Sequence, residues 1–178
     1  MAIFQSVTAR TAGFSTVDIS HLSAGGTLLT LVLMGVGAGS GSTGGGLKVN
    51  TVAVLALGAQ AHARRKKDVN LFGRRLSEET MRSAADSASL YGMACLLGCM
   101  VLCVQGISLE DALFEAVSAI GTVGLSRGIT GDLPGLSRLA VIGLMFLGRV
   151  GSMSVALALT RDLPEPRVRR VPERILVG

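Results

Sequence analysis

Between Gly35 and Gly46 the chain places seven glycines, interspersed with Ser40, Ser42 and Thr43, inside a run from Leu22 to about Ala63 that is otherwise apolar. A run of that length and character can cross a bilayer, where water is absent and every backbone N–H and C=O needs an internal partner. Three consecutive glycines, Gly44 to Gly46, oppose an intact helix, because each costs about 1 kcal/mol relative to alanine in a helix interior. The segment is therefore predicted to be a broken span, two half-helices flanking an unwound loop that is buried in protein or lines a water-filled cavity. An uninterrupted helix whose small residues form a packing face is the alternative.

The remaining sequence points to the same solvent. Of the 178 residues 49% are hydrophobic and only 16% charged, and mean hydropathy is +0.55, values that indicate a membrane protein rather than an average soluble domain. The 24 glycines follow no Gly-x-y period and lie in or beside apolar runs, which excludes linker and collagen structure. Residues 84–104, interrupted only by Asp86 near the start, supply roughly the 20 residues of a transmembrane helix. A last span is expected over about 138–159, with Arg149 near its middle. Seven Lys and Arg residues between Arg64 and Arg82, and five between Arg161 and Arg174, mark cytoplasmic segments by the positive-inside rule. This gives a multi-pass protein of the cell membrane with a cytoplasmic C-terminus. The basic loop at 64–82 also suits membrane lipid or a regulator as partner.

Several other functions are disfavoured. The basic clusters lack interleaved aromatics, and the chain has no Trp, one Tyr and five Phe, so nucleic acid is not a partner. Cys95, Cys99 and Cys103 recur every four residues on one apolar helix face and read as small buried hydrophobes. His21 and His62 have no Cys or His at ligand spacing, so neither marks a metal centre. Met1-Ala2-Ile3-Phe4 lacks the basic and apolar regions of a signal peptide, and no targeting sequence is expected.

An internal repeat organises what remains. Phe4-Gln5-Ser6-Val7 matches Phe114-Glu115-Ala116-Val117, and with one inserted residue Thr11-Ala12-Gly13-Phe14-Ser15 matches Thr122-Val123-Gly124-Leu125-Ser126. Further on, Leu31-Val32-Leu33-Met34-Gly35 matches Leu144-Met145-Phe146-Leu147-Gly148. In the second copy Ser108 and Asp111 form a capping-box-like start to a helix that ends near Ile120 and is too short to span a bilayer. It reads as a re-entrant helix. A Thr-x-Gly segment behind such a helix suits cation coordination, since glycine tolerates the positive φ that turns successive carbonyls one way, and the helix aims its negative end at the ion. Tight turns at membrane re-entry without ion contact are the alternative.

These motifs resemble the Trk, Ktr and HKT superfamily of potassium transporters, closest to the Ktr branch in the ending Val171 to Gly178. Thr8 to Phe14 resembles the third pore loop, Gly41-Ser42-Thr43-Gly44-Gly45-Gly46-Leu47-Lys48 the third inner helix, and Phe114 to Ser126 with Gly148-Arg149-Val150-Gly151 the fourth repeat. The resemblance implies an all-α membrane protein built from repeats of outer helix, re-entrant pore helix and filter loop, and inner helix, the third inner helix broken by a Gly-rich intramembrane loop. It implies potassium uptake and no enzyme activity, with potassium as transported substrate and no other cofactor or metal. Filter carbonyls would come from Thr11, Ala12, Gly13 and Phe14 and from Thr122, Val123, Gly124 and Leu125. The gate would comprise Gly41, Ser42, Thr43, Gly44, Gly45, Gly46, Lys48 and Arg149, and alanine at Arg149 is expected to raise flux. Implied partners are the missing N-terminal repeats, a second copy in a homodimer, and a cytoplasmic nucleotide-binding regulatory subunit.

On this basis the chain divides into a partial third repeat at 1–63, a cytoplasmic loop at 64–83, a complete fourth repeat at 84–160 and a cytoplasmic tail at 161–178. It is expected to be a fragment of the full subunit, since two repeats cannot enclose an ion. Two alternatives stay open. Gly39-Ser40-Gly41-Ser42-Thr43-Gly44 matches the GxGxxG fingerprint, which would suit a membrane-bound nucleotide-binding enzyme, although no acidic residue follows about 20 positions on. A non-conducting remnant is the other. Arg10 and Glu115 are charges within the short helices and are expected to pair with each other or to brace the filter backbone.

Overall fold

The structure, a computed structural model, describes residues 2–39, 41–42, 44–65, 69–71, 74–151 and 154. The expectations for Thr43 and for the tail at 161–178 lie outside the described residues. Helix α1 (Ala2–Thr8) leads through a loop and a 3-10 turn (Ile19–His21) into α2 (Ala24–Gly35), and α3 (Val49–Ala63) follows the glycine-rich segment. Two short strands, β1 (Asn70–Leu71) and β2 (Arg74–Arg75), precede α4 (Glu78–Val104). Then α5 (Leu109–Ile120) leads through a second loop and 3-10 turn (Thr130–Asp132) into α6 (Gly135–Val150).

Side-chain caps set several starts. The Ser23, Ser77 and Ser108 hydroxyls accept from the N–H groups of Gly26, Thr80 and Asp111 at 3.3, 3.2 and 3.2 Å, satisfying donors that the first turn leaves orphaned. The Ser77 cap, with Glu78 and Glu79 in the first turn, explains why α4 begins well before the apolar run at 84–104. Its 27 residues span about 40 Å, enough to cross a hydrocarbon core of about 30 Å. Among the described residues α4 is the one helix long and apolar enough to span a membrane by length and composition, and α2 is a shorter apolar helix.

Within the basic connection β1 and β2 pair antiparallel, Asn70 with Arg75 and Leu71 with Arg74, giving a polar segment local partners for its backbone. The last described helix ends at Val150, where Gly151 turns to φ 94 and its N–H donates to Leu147 O at 2.9 Å. Arg149 sits in the last turn of α6, where its charge complements the helix dipole; the remainder of the span expected over 138–159 lies, apart from Ser154, outside the described residues.

The core has two parts. Cys95, Cys99 and Leu102 of α4 pack with Ala112, Ala116, Ala119 and Ile120 of α5 and with Val141 and Leu144 of α6. The cysteine face is thus a packing face, and all three thiols are free. Gly98 lets α4 approach the Leu144 side chain closely. The second cluster joins Ala9, Ile19 and Met34 to Phe114, Val123 and Leu125, fastening the first α1–α2 unit to the α5 loop. Seven of the 12 residues of α5 are buried, so this short helix lies inside the assembly, while Leu96, Leu97 and Met100 on the outer face of α4 are exposed.

Candidate functional site

Each short helix ends in a Thr-x-Gly loop with the same backbone pattern. Thr11 and Thr122 have φ of 69 and 53, and Gly13 and Gly124 have φ of 74 and 88. Glycine adopts this region freely, but a β-branched residue there carries strain of about 1–3 kcal/mol. Thr122 occupies the left-handed position that closes α5: its N–H donates to Ala119 O at 3.0 Å and that of Val123 to Ser118 O at 2.9 Å. The loops lie side by side, with Gly13 so close to the Val123 carbonyl oxygen that a Cβ would overlap it.

A matching hydroxyl braces each loop. Thr8 Oγ1, at the end of α1, donates to Phe14 O, and Ser118 Oγ donates to Leu125 O at 2.5 Å. These two carbonyls are therefore engaged with their own helices, whereas no hydrogen bond is found at the carbonyls of residues 11–13 and 122–124 among the described residues. The side chains following the glycines differ sharply, Leu125 being 2% exposed and Phe14 73%.

The glycine-rich segment lies directly against both threonines. Gly45 N–H donates to Thr122 Oγ1 at 2.8 Å, and a Cβ on Gly44 would lie 2.9 Å from Thr11 Oγ1. Its base is laced by Gly37 N–H to Leu47 O at 2.8 Å and Val49 N–H to Ala38 O at 3.3 Å. Lys48 Nζ donates to Gly44 O at 2.6 Å and Ser42 O at 2.9 Å, supplying a cation to carbonyls that no helix satisfies. Gly41, Gly46 and the other described members of the predicted gate are continuous with this contact; Arg149 is exposed at the end of α6. The segment joins one helix to another with no strand before it, which a dinucleotide-binding turn requires, so the nucleotide alternative gains no support.

Glu115 is buried and does not pair with Arg10, which is exposed. Its carboxylate accepts instead from Ser126 Oγ at 3.0 Å and Thr130 Oγ1 at 2.6 Å. Beside it a cavity of about 350 Å³ is bounded by Ser118, Thr122, Gly124 and Met145. Arg127, not singled out from the sequence, forms ion pairs with Glu110 and, at 3.1 Å, with Asp111 in the first turn of α5. In the first copy Asp18 caps the 3-10 turn, and hydrogen bonds from the Ser20 hydroxyl and N–H hold its exposed carboxyl below the usual range. Nothing in the sequence spacing reveals the Arg127 contacts, since both partners lie more than a dozen residues upstream.

Residues 1–171 match the TrkH family, described as a cation transport protein. The chain belongs to that family. TrkH relatives include the potassium/sodium uptake protein NtpJ of Enterococcus hirae, 38% identical over 98% of this chain and 40% of its own length. The Ktr system potassium uptake protein B of Vibrio alginolyticus is 37% identical over 99% of this chain and 39% of its own length. The crystal structure of the potassium transporter TrkH from Vibrio parahaemolyticus shares the fold, with a TM-score of 0.78 and 23% identity over 89% of this chain and 36% of that one. The chain thus spans about 40% of the length of these curated relatives, and its family is one of transport proteins, not of enzymes.

Proposed function

We propose that this TrkH-family chain forms part of a potassium-uptake pathway in the cell membrane, its two Thr-x-Gly loops contributing two of the segments that coordinate the ion. The observation that carries this reading is the paired left-handed backbone at Thr11 and Gly13 and at Thr122 and Gly124. Alternating backbone handedness turns successive carbonyls toward one side, and strained non-glycine residues concentrate where function requires them. The ends of α1 and α5 add negative dipole to the same place. Because the Phe14 and Leu125 carbonyls are engaged by hydroxyls, the coordinating oxygens are assigned to residues 11–13 and 122–124.

The glycine-rich segment acts as the gate beneath these loops. Its Gly45 N–H is tied to the Thr122 hydroxyl oxygen, which holds the segment against the second loop, and Lys48 fastens the segment through its own carbonyls. Opening therefore requires release of both contacts. The remaining N-terminal repeats, a second copy and a cytoplasmic regulatory subunit complete the working assembly.

Rubidium uptake by a subunit containing this chain, in cells lacking their own potassium uptake, tests the proposal. Uptake that Gly124→Ala abolishes is expected. Uptake indifferent to both Gly13 and Gly124, or specific nucleotide binding at the Gly39 to Gly46 segment, would refute it.

A further inference from the structure

Glu115 is buried at 5% exposure in the interior of α5, and its hydrogen-bond partners among the described residues are two hydroxyls and no cationic side chain. A carboxylate so placed is costly unless its hydrogen bonds are made, and an ionised one only accepts, so Ser126 and Thr130 are suitable donors. Both belong to the segment that follows the second Thr-x-Gly loop. Gly128 N–H in turn donates to Ser126 Oγ at 3.1 Å, and Thr130 Oγ1 lies 2.7 Å from the same atom.

This network is the middle of three ties between α5 and the chain after the loop. Ser118 holds Leu125 O on one side, and Arg127 pairs with Glu110 and Asp111 on the other. In the first copy, among the described residues, only the tie from Thr8 to Phe14 O has a counterpart. There Gln5 stands for Glu115, Thr16 for Arg127 and Ile19 for Thr130, while Ser15, the match to Ser126, donates to its neighbour Val17 O at 2.5 Å. The two loops share a backbone pattern, but only the second is anchored by charge.

Resting on the pathway proposed above, we infer that Glu115 is a positioning residue for the Thr122 to Gly124 carbonyls and thereby a determinant of discrimination between potassium and sodium. A loop free to collapse brings its oxygens onto the smaller ion. One held from behind at residues 125, 126 and 130 keeps them at the larger spacing. The carboxylate acts through Ser126 and Thr130 and does not itself coordinate the ion.

The test compares Glu115→Gln, Thr130→Val and Thr130→Ser in a transporting subunit that contains this chain, measuring rubidium uptake with sodium as competitor. Glu115→Gln and Thr130→Val are expected to raise the rubidium KM and lower rubidium-over-sodium discrimination about tenfold, the scale of one lost hydrogen bond to a charged group, with maximal rate and membrane abundance nearly unchanged. Thr130→Ser, which keeps the hydroxyl, should retain discrimination. Unchanged discrimination in a transporting Glu115→Gln variant overturns the inference, as does equal loss in Thr130→Val and Thr130→Ser. If Glu115→Gln does not reach the membrane, the Thr130 pair decides. Absence of Gly124-dependent uptake in the unsubstituted subunit overturns the pathway itself, whereas retained discrimination overturns the positioning role alone.

Discussion

Alanine at Gly13 and alanine at Gly124 are the same chemical change at matched positions, yet the structure assigns them different costs. Both glycines have positive φ, 74 and 88, so either substitution places a Cβ in the left-handed region at about 1–2 kcal/mol. At Gly124 the nearest atom to that Cβ is Gly13 Cα at 3.8 Å, an ordinary contact, and backbone strain is the whole cost. At Gly13 the Cβ overlaps the Val123 carbonyl oxygen and stands 3.4 Å from the carbonyl carbon. Restoring a usual carbon–oxygen separation of about 3.3 Å requires the loops to part by roughly 1 Å. Overpacking of this kind adds about 1–3 kcal/mol. Thermal inactivation of the detergent-solubilised subunit should therefore fall further for Gly13→Ala than for Gly124→Ala. Rubidium uptake should be lost in both, in Gly13→Ala because Val123 O is displaced from the ion path. Equal inactivation temperatures for the two variants, or a lower one for Gly124→Ala, would refute the side-by-side placement of the loops.

Other substitutions test neighbouring parts of the same assembly. Gly148→Ala would drive a Cβ into Ile120 O and should abolish correct packing of α6 on α5, whereas Gly143→Ala meets nothing within 4 Å and should leave stability level or raise it by up to about 1 kcal/mol; membrane abundance and thermal inactivation distinguish them. Thr122→Val keeps the β-branch but leaves the Gly45 N–H without its acceptor, which should loosen the glycine-rich segment and raise basal rubidium flux. Lys48→Met removes the donor to Gly44 O and Ser42 O and should act in the same direction, with flux again the readout. Ser108→Ala should cost about 1 kcal/mol through loss of the α5 cap, seen as a lower inactivation temperature without a change in ion preference.

Local signals in the sequence were sufficient wherever the physics is local. Three successive glycines opposed a helix across 44–46, and the chain there is a loop between α2 and α3. Ser108 and Asp111 marked the start of α5, and the spacing of Cys95, Cys99 and Cys103 marked the packed face of α4. The start of α4 was less legible, because hydropathy reports where a helix can enter lipid, whereas the Ser77 cap decides where it begins. The β1–β2 pair was invisible because two-residue strands have no period to detect.

The partners of the candidate site belong to another class of information. Two Thr-x-Gly motifs and their flanking helices could be read in order, and family resemblance assigned them a purpose. Nothing in that order pairs Gly45 with Thr122, seats Gly13 on Val123 O, or gives Glu115 to Ser126 and Thr130 instead of Arg10. The sequence alone determined which segments must unwind and which must bury, since those follow from backbone propensity and side-chain transfer. Only the tertiary structure decided which oxygen faces which donor, because a hydrogen bond depends on angstrom-scale placement of groups that lie far apart along the chain.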